Sequence, residues 1–156
     1  MVPIEKLFFL HRAKSGLFSD YEPGDIAYIG NGFVSNAVVG FVSAIQGDRV
    51  FKFRGIVVSA FCEATVQAPP FIACGRAGNG LTVLESKAPM DSANLAYIAA
   101  YINIAVRWRF SWYRQTTVDR LKSVLIPDTI PLGFCYKAPL GIEFVAASHR
   151  GSGGGK

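Results

Sequence analysis

Residues 109–127, RFSWYRQTTVDRLKSVLIP, combine arginines and aromatic side chains in one short stretch. Residues 107–122 carry five basic side chains against Asp119 alone, a balance of +4, whereas residues 1–106 carry eight of each sign and sum to zero. A guanidinium can bind a phosphate or the edge of a guanine through two parallel hydrogen bonds, and aromatic rings contact sugars and bases. The stretch therefore predicts a surface that binds a polyanion. The alternative is a solvated helix end, where cations favour the negative pole of the helix dipole.

The cysteines and histidines do not form a recognisable catalytic or metal-binding pattern. Cys62, Cys74 and Cys135 are widely spaced and lack the C-x-x-C pair of a zinc site, so we interpret them as small buried hydrophobic residues. His11 and His149 lie near opposite ends of the chain, and neither adjoins a nucleophile in a known motif. We predict no catalytic residue, no metal and no cofactor. A small hydrolase or nuclease whose cysteine and histidine meet only in the fold is an open alternative.

Two further segments are similar to functional motifs but lack the residues that their chemistry needs. GRAGNG, residues 75–80, lacks the Lys-Ser/Thr of a phosphate-binding loop and is flanked by strand-like runs, so it is predicted to be a turn. Arg76 and Asn79 in this turn are candidate nucleic-acid contacts. APPF, residues 68–71, lacks the polar side chain that amino-methyltransferases place before Pro-Pro-aromatic. The chain is therefore not predicted to be a methyltransferase.

The 156 residues are 51% hydrophobic, which suits one folded domain with a substantial core. We predict that this domain spans residues 1–148 and that residues 149–156 are a flexible tail. The apolar run at residues 95–102 is broken by Asn103 and is too short to cross a bilayer. The N-terminal segment lacks a secretory cleavage pattern. These features predict a cytoplasmic protein without a membrane partner.

The elements that must position the basic stretch follow from the spacing of apolar residues. After Pro89, apolar residues recur at helical spacing and predict one buried helix at about residues 92–107, capped by Asp91 or Ser92. Thr116 or Thr117 can cap a short second helix at about residues 117–125. Short apolar runs separated by glycine, asparagine and proline precede these helices and favour strands: KLFFL, GDIAYIG, NAVVGFVSA, RVFKF, GIVVSAF, EATVQA, PFIACG and LTVLES. The prediction is an α+β fold with a twisted, mostly antiparallel β body.

Three blocks of the chain, within about residues 22–127, resemble the target recognition domains of type I restriction-modification specificity subunits, or the equivalent domains of fused type II enzymes. PGDIAYIGNGFVSNAVVGFV resembles the opening of these domains, and FKFRGIVVSAFCEATVQAPPFIACG resembles their central strands. NLAYIAAYINIAVRWRFSWYRQTTVDRLKSVLIP resembles their ending, which is a helix, an aromatic-arginine turn and a short helix closing on Ile-Pro. Tyr113 occupies a position where the family often has glycine.

The resemblance implies a non-catalytic module that recognises double-stranded DNA and directs a partner methyltransferase, or modification subunit, to a short sequence. A restriction subunit is a further candidate partner, and a homodimer is a candidate assembly. Full specificity subunits contain two such domains joined by long helices, whereas this chain has room for one. A protein-interaction domain is another alternative, because Trp, Tyr and Arg also dominate interface hot spots.

Three groups of candidate DNA-binding residues follow from this interpretation. Phosphate binding, which positions a protein without reading sequence, is expected from Arg107, Arg109, Arg120 and Lys122. Proximity to DNA in the aromatic turn is expected for Trp112, Tyr113, Arg114 and Gln115. Base reading, in which Asn or Gln pairs with adenine and Arg with guanine, is expected from Gln115 together with Asn31, Ser35, Asn36, Arg76 and Asn79. Trp108 and Phe110 are expected to anchor the turn in the core.

Overall fold

A computed structural model describes residues 1–75, 80–111, 113–129 and 131. Within these ranges the strands form one two-stranded and two four-stranded sheets. In chain order the strands are β1 (Val2–Pro3), β2 (Phe8–Arg12), β3 (Pro23–Ile29), β4 (Val38–Val42), β5 (Val50–Phe51), β6 (Gly55–Val58), β7 (Ala64–Gln67), β8 (Phe71–Ala73), β9 (Thr82–Ser86) and β10 (Leu125–Ile126). The helices are α1 (Ile4–Leu7), α2 (Ser92–Tyr101) and α3 (Val118–Lys122). Each of the eight apolar runs predicted to be a strand overlaps one.

The two larger sheets and α2 form three layers. The middle sheet has the antiparallel order β2-β9-β6-β7, and α2 packs on β6 and β7. Alternate residues of β6 point to opposite faces, so Ile56 and Val58 contact the helix layer while Val57 contacts the outer sheet. Because both faces of these strands are buried, successive residues are apolar, and the strands appear in the sequence as continuous apolar runs. The outer sheet has the order β4-β3-β8-β5, in which β3 and β8 are parallel and the other pairs antiparallel. The predicted α+β class is confirmed.

The main helix follows the predicted range closely but changes character towards its end. Asp91 is the N-cap, and its side chain accepts a hydrogen bond from the backbone N–H of Asn94 at 2.7 Å. The α-helical part ends at Tyr101, residues 102–106 form a π-helical turn, and residues 107–109 form a 3-10 turn. Apolar side chains on one face are buried in the core with β6 and β7: Leu95, Ile98, Ala99, Ile102 and Val106.

The opposite face of this helix is exposed, which corrects the prediction for Trp108. Ala100, Ile104 and Trp108 recur at four-residue spacing, and the last two are 81% and 75% exposed. Trp108 follows the buried Val106 by two positions, so its side chain lies on the other side of the helix. Trp108 therefore does not anchor the turn, whereas Phe110 is half-buried and packs against the main core as predicted.

The ends of the fold differ from the predicted elements at two places. The KLFFL run begins in α1 and enters β2 only at Phe8. The short helix α1 starts at Ile4, which is buried and whose backbone N–H donates to the carbonyl of Val124. The second helix is shorter than predicted: it begins after Thr117, whose side chain caps the backbone N–H of Arg120, and it ends at Lys122. Leu125 then pairs with Pro3 in a strand.

No helix in the described ranges is both long enough and apolar enough to cross a membrane. The predicted tail at residues 149–156 lies outside those ranges, and the predicted domain boundary at residue 148 lies outside them as well.

Candidate nucleic-acid interface

Three segments distant in sequence meet at the end of the molecule where the main helix ends. They are the loop at residues 30–37 after β3, the turn at residues 59–63 after β6, and residues 107–111 with 113–117. The Asn31 side-chain oxygen accepts a hydrogen bond from the Ala60 backbone N–H at 3.3 Å. The buried Thr116 hydroxyl donates to the Ser59 carbonyl at 2.6 Å, and the Thr116 backbone N–H donates to the Ala60 carbonyl at 2.9 Å. The turn at residues 59–63 therefore links the other two segments.

The turn at residues 59–63 is a constrained support for this surface. The Ser59 hydroxyl oxygen accepts hydrogen bonds from the backbone N–H groups of Phe61 and Glu63. Cys62 has a left-handed backbone, with φ of 61°, and is fully buried. Burial raises the pKa of its thiol to about 12, although the nearby positive charge of Arg107 acts in the opposite direction. Cys62 is thus a buried hydrophobic residue, as predicted.

The loop at residues 30–37 contains an unusual run of left-handed backbone. Gly32 has φ of 105°, which suits glycine, but Ser35, Asn36 and Ala37 also have positive φ, at 50°, 54° and 63°. A left-handed conformation costs a residue with a side chain about 1–2 kcal/mol, so other contacts must hold the loop. The Asn36 side-chain amide donates to the Val66 carbonyl at 2.8 Å, and the buried amide of Gln67 donates to the Asn36 carbonyl at 2.7 Å.

The predicted base readers in this loop differ in whether their side chains form hydrogen bonds within the protein. Asn31 and Asn36 use their side chains within the protein, in the bonds to Ala60 and Val66. Ser35 is exposed, and the neighbouring Val34 is 87% exposed at the tip of the loop. These bonds help to position the loop, Asn31 is also exposed, and Val34 and Ser35 lie on the outer surface of the loop; base contact by Asn31, Ser35 and Asn36 stays a prediction.

Two of the predicted phosphate-binding cations are paired with acidic side chains. Arg107 Nη2 lies 2.8 Å from Glu63 Oε1, and the guanidinium packs over the Phe33 ring at 4.8 Å from its centroid. Lys122 Nζ lies 3.0 Å from Asp119 Oδ1, and this hydrogen bond holds the pKa of the carboxyl below its usual range. Arg107 therefore bridges the loop and the turn.

The remaining three arginines of the stretch line one cleft of about 260 Å³, which we call the arginine cleft. Its walls are formed by Arg109, Phe110, Arg114, Arg120, Ser123 and Val124. Among the described residues, no acidic side chain forms an ion pair with these three guanidinium groups. Arg120 Nη1 donates to the Gln115 carbonyl at 2.7 Å, which fixes its position without neutralising its charge. Within the part of the chain that the structure describes, the positive charge of the cleft is not neutralised, and the cleft suits an anion.

Exposed aromatic side chains flank the arginine cleft. Ser111 and Arg114 exchange two backbone hydrogen bonds, of 3.2 and 2.9 Å, and Tyr113 between them is fully exposed. The Trp108 indole N–H donates to the Ala105 carbonyl at 2.8 Å, and the Arg109 guanidinium lies 5.5 Å from the centre of the Trp108 ring. Exposed rings beside arginines can contact the sugars and bases of a nucleic acid.

Some predicted residues are not located by the structure. Trp112, Arg76 and Asn79 lie outside the described residues. The residues that flank residues 76–79, Gly75 and Gly80, line a second cleft of about 260 Å³ together with Thr116 and Thr117. The base of this predicted contact turn is therefore close to the start of α3.

The residues that position the surface, rather than form it, could not be identified from the sequence. Glu63, Phe33 and Gln67 lie in apolar or strand-like runs, and their partners are between 31 and 74 positions away in the chain. Asn103 also positions the surface. Its side-chain oxygen accepts a hydrogen bond from the Ala64 backbone N–H at 2.7 Å, and its side-chain nitrogen donates to the Ala64 carbonyl at 2.8 Å. These two bonds join the end of the helix to β7. The one available signal was a polar asparagine inside an apolar helix.

The alternative of a cysteine-histidine site is not supported by the described residues. His11 Nε2 lies 2.6 Å from Glu85 Oε2 and close to the rings of Phe51 and Phe53. Neither Cys62 nor Cys74 forms a hydrogen bond to it. Within the described ranges, no group of three or more His, Cys, Asp or Glu side chains could hold a metal ion.

A solved structure shares this fold. The crystal structure of a type I restriction-modification system S subunit from M. genitalium matches with a TM-score of 0.58 and 19% sequence identity, over 80% of this chain. The chain spans about a third of that protein, 32% of its length. No protein-family model matches the sequence, and no curated protein sequence matches it. The likeness shows the fold, and it agrees with the resemblance seen in the sequence blocks.

Proposed function

We propose that the chain is a non-catalytic, sequence-specific DNA-recognition module that acts with a DNA methyltransferase. The observation that carries the proposal is the arginine cleft: Arg109, Arg114 and Arg120 converge on one concave surface and are not ion-paired to the described acidic residues. Guanidinium groups bind phosphate oxygens in a bidentate manner, so three of them in one cleft suit a nucleic-acid backbone. Trp108 and Tyr113 add exposed rings at the edge of the cleft.

The rest of the surface supports recognition of a duplex rather than of a single small anion. The loop at residues 30–37 and the turn that carries Tyr113 project from the same end of the molecule, and their contacts to the turn at residues 59–63 hold them in a fixed relation. Phosphate contacts fix the position of a protein on DNA, whereas loops that reach base edges provide specificity. In this proposal the arginine cleft binds phosphates, and the loop at residues 30–37 contacts base edges.

The proposed methyltransferase partner rests on the structural likeness and the sequence resemblance together. The M. genitalium protein is an S subunit of a type I restriction-modification system, and this chain shares the fold of about a third of it. A cytoplasmic location, where such a partner and its DNA would be present, belongs to the same proposal, as do a restriction subunit or a second copy of the chain as further partners. Co-purification with a modification subunit, followed by a test for methylation of a selected duplex, addresses this part.

DNA binding is tested by fluorescence anisotropy with labelled random duplexes at low salt. The parent protein should bind, and Arg114→Gln should bind several-fold more weakly because one phosphate contact is lost. Lys52→Gln is the matched control, since it also removes one exposed positive charge. Lys52 lies near Arg54, which hydrogen-bonds to Ser92 at the opposite end of the main helix from Arg109. Equal weakening by both substitutions would show that only net charge matters and would contradict a defined site.

A protein-interaction surface is the second candidate, and the exposed apolar side chains of the main helix favour it. Ile104 and Trp108 lie one helical turn apart and are 81% and 75% exposed. Exposed aromatic residues beside arginines are also typical of interface hot spots. The two candidate functions differ in how strongly the binding affinity depends on salt, because apolar docking is far less sensitive to salt than phosphate binding. Weak or absent duplex binding by a folded parent protein would favour this second function.

A further inference from the structure

We propose that Val34 is a specificity-determining residue that contacts the C5-methyl group of a thymine in the major groove. This inference rests on the proposed DNA-binding function and deepens it. Val34 is 87% exposed at the tip of the loop at residues 30–37. Its side chain is branched at Cβ and therefore conformationally stiff. In the major groove, the thymine methyl is the apolar feature that such a side chain can distinguish.

The loop is built to hold this tip in place. Ser35, Asn36 and Ala37 are all left-handed, a conformation that residues with side chains rarely adopt in succession. The backbone N–H of Asn36 donates to the Phe33 carbonyl at 3.0 Å, and the Asn36 amide and carbonyl bond to Val66 and Gln67. Strained backbone that is held by several contacts is typical of functional sites. A loop tip that is held in this way loses little conformational entropy when it binds.

The engagement of the neighbouring side chains leaves Val34 as the outward apolar contact. Asn31 and Asn36 use their amides within the protein, and the Phe33 ring lies beneath the guanidinium of Arg107. The Arg107–Glu63 ion pair holds that guanidinium from the other side. We therefore assign Asn36, Gln67 and Arg107 as positioning residues.

The test removes single methyl groups from DNA. The parent protein first selects a preferred site from a random duplex library, and each thymine of that site is then replaced by uracil, which lacks only the C5-methyl. We expect one replacement to weaken parent binding by about fourfold, the effect of one buried methyl group. Val34→Ala should bind the thymine-containing site more weakly and should no longer distinguish thymine from uracil at that position.

Ile45→Ala is the matched control. Ile45 is an exposed apolar residue that follows β4. It lies beyond Val42, which pairs with Pro23 at the end of β4 that is far from the loop. Its substitution should leave the uracil effect intact. If no thymine is sensitive to uracil, or if Val34→Ala keeps the sensitivity, the inference is overturned while DNA recognition stands. If the folded parent protein binds no duplex, the proposed function fails and the inference fails with it.

Discussion

Replacing Arg109, Arg114 and Arg120 together with glutamine should flatten the salt dependence of duplex binding. Each arginine that neutralises a phosphate releases condensed counterions, which contributes about −0.9 to the slope of log affinity against log salt. The total charge of residues 107–122, +4, would suggest about four such contacts and a slope near −3.6. The structure lowers the expected number, because Arg107 is paired with Glu63 and Lys122 with Asp119.

The three arginines of the cleft, which form no ion pair with a described acidic residue, correspond to a slope of about −2.7. Raising the salt from about 50 to about 200 mM should then weaken parent binding by roughly 40-fold through these contacts alone. The triple glutamine variant keeps the polar side chains but removes the charges, so its slope should be shallower by up to about 2.7.

The assay is anisotropy with one labelled duplex at a series of salt concentrations, for the parent protein and the triple variant in parallel. The difference between the two slopes is the tested quantity, since cations elsewhere contribute equally to both. A difference near zero would refute phosphate binding in the arginine cleft. A difference near 2.7 would support phosphate binding by all three arginines.

Three further predictions concern the residues around the cleft. Glu63→Gln should release the Arg107 guanidinium and steepen the salt slope by up to about one, which the same anisotropy series measures; an unchanged slope would mean that Arg107 cannot reach a phosphate. Ile102→Asp places an unpaired charge in the core and should lower the free energy of unfolding by more than about 4 kcal/mol, whereas Ile104→Asp on the exposed face should change it by no more than about 0.5 kcal/mol in urea denaturation. The Cys62 thiol, with a pKa raised to about 12, is almost fully protonated at pH 8 and should resist iodoacetamide in the native protein but react after unfolding; rapid native modification, detected by mass spectrometry, would contradict its burial.

Much of the β body could be predicted because its strands are buried on both faces. GIVV of β6 and the apolar part of LTVLES in β9 contain continuous apolar residues, since alternate side chains contact the helix layer and the outer sheet. The main helix and its Asp91 cap were predictable for a similar reason, because both signals are local. The length of the second helix could not be predicted in this way, because the residues after it form a strand in which Leu125 pairs with Pro3, near the start of the chain.

The candidate site was predictable in composition but not in geometry. The cluster of arginines and aromatic residues is visible in the sequence, whereas the pairing of Arg107 with Glu63 joins residues 44 positions apart. The sequence also does not reveal the internal hydrogen bonds of Asn31 to Ala60 and of Asn36 to Val66, because these partners are about 30 positions away in the chain. The prediction that Trp108 anchors the turn in the core is wrong, because its position relative to the buried Val106 puts it on the exposed face of the helix.

The most direct test of the account is an NMR titration of the folded, isotope-labelled protein with a short DNA duplex at low salt. If the arginine cleft and the loop at residues 30–37 form the DNA-binding surface, the backbone amide signals of Val34, Arg109 and Tyr113 should shift progressively. Those of Ile45, beyond the end of β4 that is far from the loop, and of Lys52, near the N-terminal end of the main helix, should stay in place. Shifts confined to the region of Ile45 and Lys52, or no shifts at duplex concentrations well above that of the protein, would contradict the central claim.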